Sequence, residues 1–192
     1  RLTILCAVAL RLCGMGIFDS INHALTTAAT GGFSTKHASI AYFNSHTIEY
    51  VITFFMFLSG INYGLLFFVA FRGQIRKLIE DTQFKWYVML LLLFTAIVGI
   101  RLFISTPYNG AASLRNALFH VTAIITTTGF TSTDYTQWPP FIWMILGLCF
   151  YFGACAGSTT GGMKTISIAI LFKSMRNEFN RILHPNEALP VR

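Results

Sequence analysis

The chain has 192 residues, of which 54% are hydrophobic and only 11% charged, and its mean hydropathy is +0.61. A single soluble domain of that length does not have a surface so poor in charge, and its core cannot hold 19 Phe. The net charge of +7 would suit nucleic acid only if the basic residues formed a surface. They cluster instead at Arg72, Arg76, Lys77 and Lys85, then at Lys173, Arg176, Arg181 and Arg192, so no nucleic-acid partner is expected.

Lipid is therefore the expected partner and solvent. The chain starts in mid-hydrophobic run, without an initiator Met or a signal-peptide pattern, and reads as an excerpt of a longer protein. Residues 47–71 form an apolar run long enough for one spanning helix, since about 30 Å of hydrocarbon is crossed at about 1.5 Å per residue. The polar loop 72–85 follows. A second span covers 86–104 and opens on the interfacial pair Trp86 and Tyr87. By the positive-inside rule the loop and the basic tail are cytoplasmic.

Pro107, Asn109 and Gly110 are turn residues, and the apolar stretch 114–125 after them is too short to cross a bilayer, which suggests a re-entrant helix. Pro139 and Pro140 open another short apolar segment, 141–152. The run "GACAGSTTGGMKT" at 153–165 interrupts it, and helix resumes at 166–183. Together these read as one spanning helix broken in its middle, and broken membrane helices line cavities.

Two stretches repeat. "AATGGFSTKH" at 28–37 and "TTTGFTSTDY" at 126–135 align when Gly32 is placed on Gly129, an offset of 97 (129 − 32). The same offset superposes His23 on His120, Thr30 on Thr127, Phe33 on Phe130, Ser34 on Thr131 and Gly60 on Gly157. The chain is thus two copies of span, short helix, Thr-Gly-Phe loop and span, with residues 1–12 the remnant of the first opening span. A polar loop at membrane depth must be enclosed by protein or face water. Its carbonyls can replace the water shell of a cation, glycine gives them the freedom to align, and the preceding helix aims its partially negative C-terminus at the same place.

On "ATGGFST", "NALFHVTAIITTTGFTS" and "GACAGSTTGGMK" the chain resembles the Trk/Ktr/HKT superfamily of potassium uptake proteins, most closely the Trk type. The resemblance implies an all-α membrane protein of membrane helix, re-entrant pore loop and membrane helix units. Four such units surround a pore, and this chain resembles the second and third. It places 1–71 in a partial second repeat, 72–85 in a cytoplasmic loop, 86–183 in a third repeat with a broken second helix, and 184–192 in a cytoplasmic tail. Potassium would bind at a filter of Thr30, Gly31, Gly32, Phe33 and Ser34 with Thr127, Thr128, Gly129, Phe130 and Thr131. A gate would be built from Gly153, Gly157, Ser158, Thr159, Thr160, Gly161 and Gly162, beside Lys164. The family further implies a pore-forming subunit for potassium uptake in the cell (inner) membrane, working as channel or symporter. It implies a homodimer, a cytosolic nucleotide-binding regulatory subunit (TrkA-like), and potassium as substrate with no covalently bound cofactor.

Other readings compete. "GSTTGGMKT" imitates a phosphate-binding P-loop, but Met163 stands where its Lys belongs and no strand precedes it. Lys164 is read either as a cation facing the pore or as a side chain snorkelling to the interface. His23 and His120 are read as packing and hydrogen-bonding groups, and Asp19 and Asp134 as caps or as charges that concentrate cations. The four cysteines lack metal-site spacing and read as small buried hydrophobes. A membrane enzyme lacks its nucleophile and base, or any HExxH. An alternating-access cation carrier using the broken helix is the main alternative.

Overall fold

The computed structural model describes residues 2–73, 75–106 and 109–183, and every regular element within them is helical. The expected tail at 184–192 and Pro107 lie outside the described residues. In chain order the helices are α1 (Leu2–Leu12), α2 (Ile17–Ala28), α3 (His46–Ser59), α4 (Tyr63–Arg72), α5 (Ile75–Glu80), α6 (Thr82–Ser105), α7 (Gly110–Ile125), α8 (Pro140–Cys149) and α9 (Thr165–Leu183). Short 3-10 turns at Ser39–Phe43 and Tyr135–Gln137 lie between the Thr-Gly loops and the helices that follow them.

The long span is α6. Asp81 caps it by accepting the Phe84 amide at 3.2 Å, and its 24 residues reach about 36 Å at 1.5 Å each, enough to cross a hydrocarbon core. Among the described residues it alone is a single helix long and apolar enough to do so. Gly99 faces α7, where a Cβ would stand in ordinary contact with the Ala117 Cβ at 3.6 Å.

The expectation of one unbroken span over 47–71 is corrected. The chain bends by 106° between α3 and α4, at residues 60–62. Two local causes act together. A Cβ on Gly60 would lie 2.5 Å from the Tyr87 hydroxyl, so that hydroxyl occupies the space a side chain needs. Asn62 then starts a new helix, its side chain accepting the Gly64 amide at 2.8 Å. The offset of 97 had already paired Gly60 with Gly157, where a break was expected. Likewise the loop 72–85 is not wholly irregular: it holds α5 and the first turn of α6.

Apolar packing forms two clusters. One gathers Val98 and Leu102 of α6, Val121 and Ile125 of α7, and Ile142 and Cys149 of α8. The other gathers Cys6 and Leu10 of α1, Ile52 and Met56 of α3, and Phe119 and Phe130 from the second copy. Between them they enclose α7 almost all round. In α2 the buried residues are Ser20, His23, Ala24 and Thr27, a single stripe at helical spacing that leaves the rest of that helix open.

Candidate functional site: two Thr-Gly loops and a helix break

Both short helices end in the same way, and the hydrogen bonds repeat with the sequence offset. In the first copy the Ala29, Thr30 and Gly31 amides donate to the Leu25, Thr27 and Thr26 carbonyls at 2.9, 3.2 and 2.8 Å. In the second the Thr126, Thr127 and Thr128 amides donate to Thr122, Ile124 and Ala123 at 2.9, 2.9 and 2.8 Å. Thr30 and Thr127 then take the left-handed conformation (φ 51° and 52°), as do Gly32 and Gly129 (φ 66° and 81°). A threonine in that region is strained, so its recurrence at matched positions marks a backbone shape that both copies keep.

The two loops abut. A Cβ on Gly32 would lie 1.7 Å from the Thr128 carbonyl oxygen, so only glycine lets the loops pass. Gly129 has open space where its Cβ would be. The two Phe of the repeat diverge: Phe130 is 1% exposed and Phe33 77%. Phe130 lies at 5.9 Å from the ring of His23, which belongs to the other copy. His23 donates from Nδ1 to the Asp19 carbonyl at 2.7 Å, and its Nε2 lies 2.9 Å from the Ser34 hydroxyl. His120 makes the matching Nδ1 bond to the Asn116 carbonyl at 2.9 Å and packs on Trp138 at 4.8 Å. These histidines hold helix, loop and neighbour together, as their sequence context suggested.

At the mouth of the loops Asp19 accepts the Thr35 hydroxyl at 2.6 Å and lies 3.8 Å from the Lys36 ammonium. Asp134 caps the second 3-10 turn, accepting the Thr136 amide at 3.0 Å and Gln137 Nε2 at 3.2 Å. Hydrogen bonds from the Thr136 hydroxyl and amide hold its carboxyl below the usual carboxylate range. Both carboxylates therefore act locally as caps or turn anchors while staying at the mouth.

The break between α8 and α9 spans 150–164 and is closed on itself. Its neck is tied by the Gly153 amide to Met163 at 2.8 Å and the Thr165 amide to Ala154 at 3.2 Å. The Cys155 amide donates to Gly60 at 3.1 Å and the Tyr63 amide to Gly157 at 3.3 Å, so the two helix breaks brace each other. Gly157 (φ 80°) and Gly162 (φ 74°) take left-handed turns in it. Lys164 turns its ammonium back onto the Thr160 carbonyl and lies 3.2 Å from the Thr160 hydroxyl. Ser158 is bonded within the segment, to the Cys155 carbonyl at 2.6 Å.

Sequence reasoning missed three participants. Tyr63 donates its hydroxyl to the Ala28 carbonyl at 3.0 Å, reaching from the first break to the end of α2. Its polar tip just after Gly60, inside an apolar run, was the available signal. Glu49 of α3 and Arg115 of α7 meet at 2.7 Å with side chains only 8% and 16% exposed. Their alignment is that of an ion pair and not of a linear hydrogen bond. The repeat places Leu146 opposite Glu49 and Phe18 opposite Arg115, so nothing in the internal alignment marked the pair.

Tandem units of helix, re-entrant helix, Thr-Gly loop and broken helix define an α-helical membrane protein built from pore-loop repeats. The chain belongs to the TrkH family: residues 1–192 match that family's model, described as a cation transport protein. It is 38% identical over 192 residues to the Trk system potassium uptake protein TrkH of Salmonella typhimurium, and 38% identical to that of Escherichia coli. It is 35% identical to the Trk system potassium uptake protein TrkG of Escherichia coli. The matches to the two TrkH proteins cover 100% of this chain and 40% of each relative, so the chain spans about two fifths of their length. The crystal structure of the potassium transporter TrkH from Vibrio parahaemolyticus superposes with a TM-score of 0.92 at 36% identity, covering 100% of this chain and 42% of that one.

Proposed function

We propose that the chain supplies two adjacent pore-loop repeats of a potassium uptake protein, 1–71 and 86–183, joined by a cytoplasmic loop at 72–85. The observation that carries this reading is the pair of Thr-Gly loops, identically hydrogen-bonded at the ends of two short helices and touching at Gly32 and Thr128. Left-handed residues at 30 and 32, and again at 127 and 129, turn the peptides between them. In such a loop successive carbonyls can face one side and take the place of a cation's water. The C-terminal ends of α2 and α7 add partial negative charge there. The names of the relatives supply the ion, potassium.

In this reading Thr30, Gly31, Gly32 and Phe33 with Thr127, Thr128, Gly129 and Phe130 form half of a filter ring, and further repeats complete it. The segment from Gly153 to Gly162, with Lys164 folded against Thr160, is the gate. The protein sits in the cell membrane with its basic loop and tail on the cytoplasmic side. It works as a homodimer controlled by a nucleotide-binding subunit on that side. No enzymatic step is assigned to it.

The test is flux. The full-length protein in potassium-loaded liposomes should release potassium in preference to sodium, whereas the 192-residue chain alone should not, because two loops leave half of the coordination shell unfilled. Discrete single-channel openings favour the pore, and flux that saturates without openings favours the alternating-access carrier.

A further inference from the structure

The tip of the helix break is hydrogen-bonded directly to both Thr-Gly loops. The Thr30 hydroxyl donates to the Thr159 carbonyl at 3.2 Å, and the Thr159 hydroxyl donates to the Ala28 carbonyl at 3.2 Å. The Gly161 amide donates to the Thr127 hydroxyl at 2.8 Å. Tyr63 completes the cluster, its hydroxyl 3.5 Å from that of Thr159. Thr30 and Thr127 are equivalent residues of the two copies, so one short segment grips the same position twice.

We propose that Thr159 is a specificity-determining residue: it seats the break on the first loop while the Gly161 amide seats it on the second, so the segment that closes the path also sets the innermost oxygens of the filter. This rests on reading those loops as a potassium filter. The chemistry follows from what the bonds occupy. In that reading a dehydrated cation draws on the Thr127 hydroxyl, which accepts from the Gly161 amide, while the Thr159 and Tyr63 hydroxyls fix the Ala28 carbonyl at the foot of the first loop. Cation and break therefore meet at the Thr127 oxygen. Potassium at the innermost position loosens the latch, and an intact latch restrains how far those oxygens can spread around an ion. A merely steric plug would do neither.

The test uses the full-length transporter. Thr159→Val keeps the β-branched shape and removes the hydroxyl that holds Ala28. It should lower the potassium-over-sodium uptake ratio by about 2- to 10-fold, the worth of one hydrogen bond, while Thr159→Ser keeps the parent ratio. An unchanged ratio in Thr159→Val overturns the proposal. A second experiment is independent of transport. A Cβ on Gly161 would lie 3.9 Å from the Thr127 Cβ, inside the disulfide range of about 3.5–4.5 Å. Thr127→Cys/Gly161→Cys should crosslink on oxidation, which reads the seating of the break on the second loop. Each single variant serves as the control for the native cysteines. Absence of the crosslink overturns the latch. A parent protein that carries no potassium, with a double variant that still crosslinks, overturns the functional reading and the role of Thr159 in preference, while leaving the hydrogen-bonded geometry in place.

Discussion

Gly32 lies so close to Thr128 that a Cβ built on it would stand 1.7 Å from the Thr128 carbonyl oxygen. The contact joins the two copies at the loops themselves. Gly32→Ala must push the second loop aside as well as strain its own backbone at φ 66°. The left-handed cost alone is about 1–2 kcal/mol, and the displaced carbonyl adds to it. Gly32→Ala is expected to abolish uptake or reduce it more than tenfold, read as initial rates in cells expressing equal amounts of folded protein.

The bend between α3 and α4 depends on Gly60 beside Tyr87. Gly60→Ala should lower stability by about 1–3 kcal/mol, the usual cost of overfilling a packed site. Tyr87→Phe in the same protein should recover part of that loss, because the hydroxyl at 2.5 Å is the nearest atom to the new methyl. Recovery stays partial: the Tyr87 hydroxyl also donates to the Phe57 carbonyl at 3.2 Å. A double-mutant cycle of thermal unfolding in detergent measures the coupling.

Glu49 and Arg115 are a buried pair at 2.7 Å that holds α7 against α3. Removing one charge leaves the other stranded, so Glu49→Leu or Arg115→Phe alone should cost about 3–5 kcal/mol. The combination should regain most of that loss. It installs the residue types that the repeat carries at the matching positions, Leu146 and Phe18. Unfolding midpoints of the two single variants and the double variant check this.

At the mouth of the loops the Asp134 carboxyl is held below the usual carboxylate range by the Thr136 hydroxyl and amide. Its folded-state pKa is depressed, so its charge and these contacts are complete at neutral pH and are lost only as pH falls through that lowered value. Asp134→Asn should weaken potassium uptake at low ionic strength, and the ratio of parent to variant rates should stay constant from about pH 8 to pH 5. Salt should shrink the difference. A ratio that collapsed near pH 6 would assign the effect to another group.

Much of this arrangement was legible in the sequence. The offset of 97 foretold matched helix ends and a shared packing and hydrogen-bonding role for the two histidines, because each depends on local sequence that the two copies share, whereas the left-handed conformation of Thr30 and Thr127 emerged only from the structure. The bend at Gly60 was half-visible: its partner Gly157 announced a break, but the apolar run across 47–71 masked it, since hydropathy does not register a hydroxyl such as that of Tyr87 approaching from another helix. The different fates of Phe33 and Phe130 were hidden for a related reason. A repeat specifies the residue, while burial depends on whether a neighbouring copy is there to receive it. The contacts of Thr159 with Ala28 and Thr30 join positions about 130 residues apart through a segment whose glycines suggested only flexibility.

The central claim is that the paired loops choose potassium, and Gly129→Ser in the full-length protein tests it most directly. A Cβ there meets nothing within 4 Å, so packing around the new Cβ is spared and the backbone at φ 81° bears the change. Paired uptake of potassium and sodium by parent and variant should show a lower potassium preference with total cation flux largely kept. An unchanged ratio at undiminished flux would contradict the account and remove Gly129 from the filter.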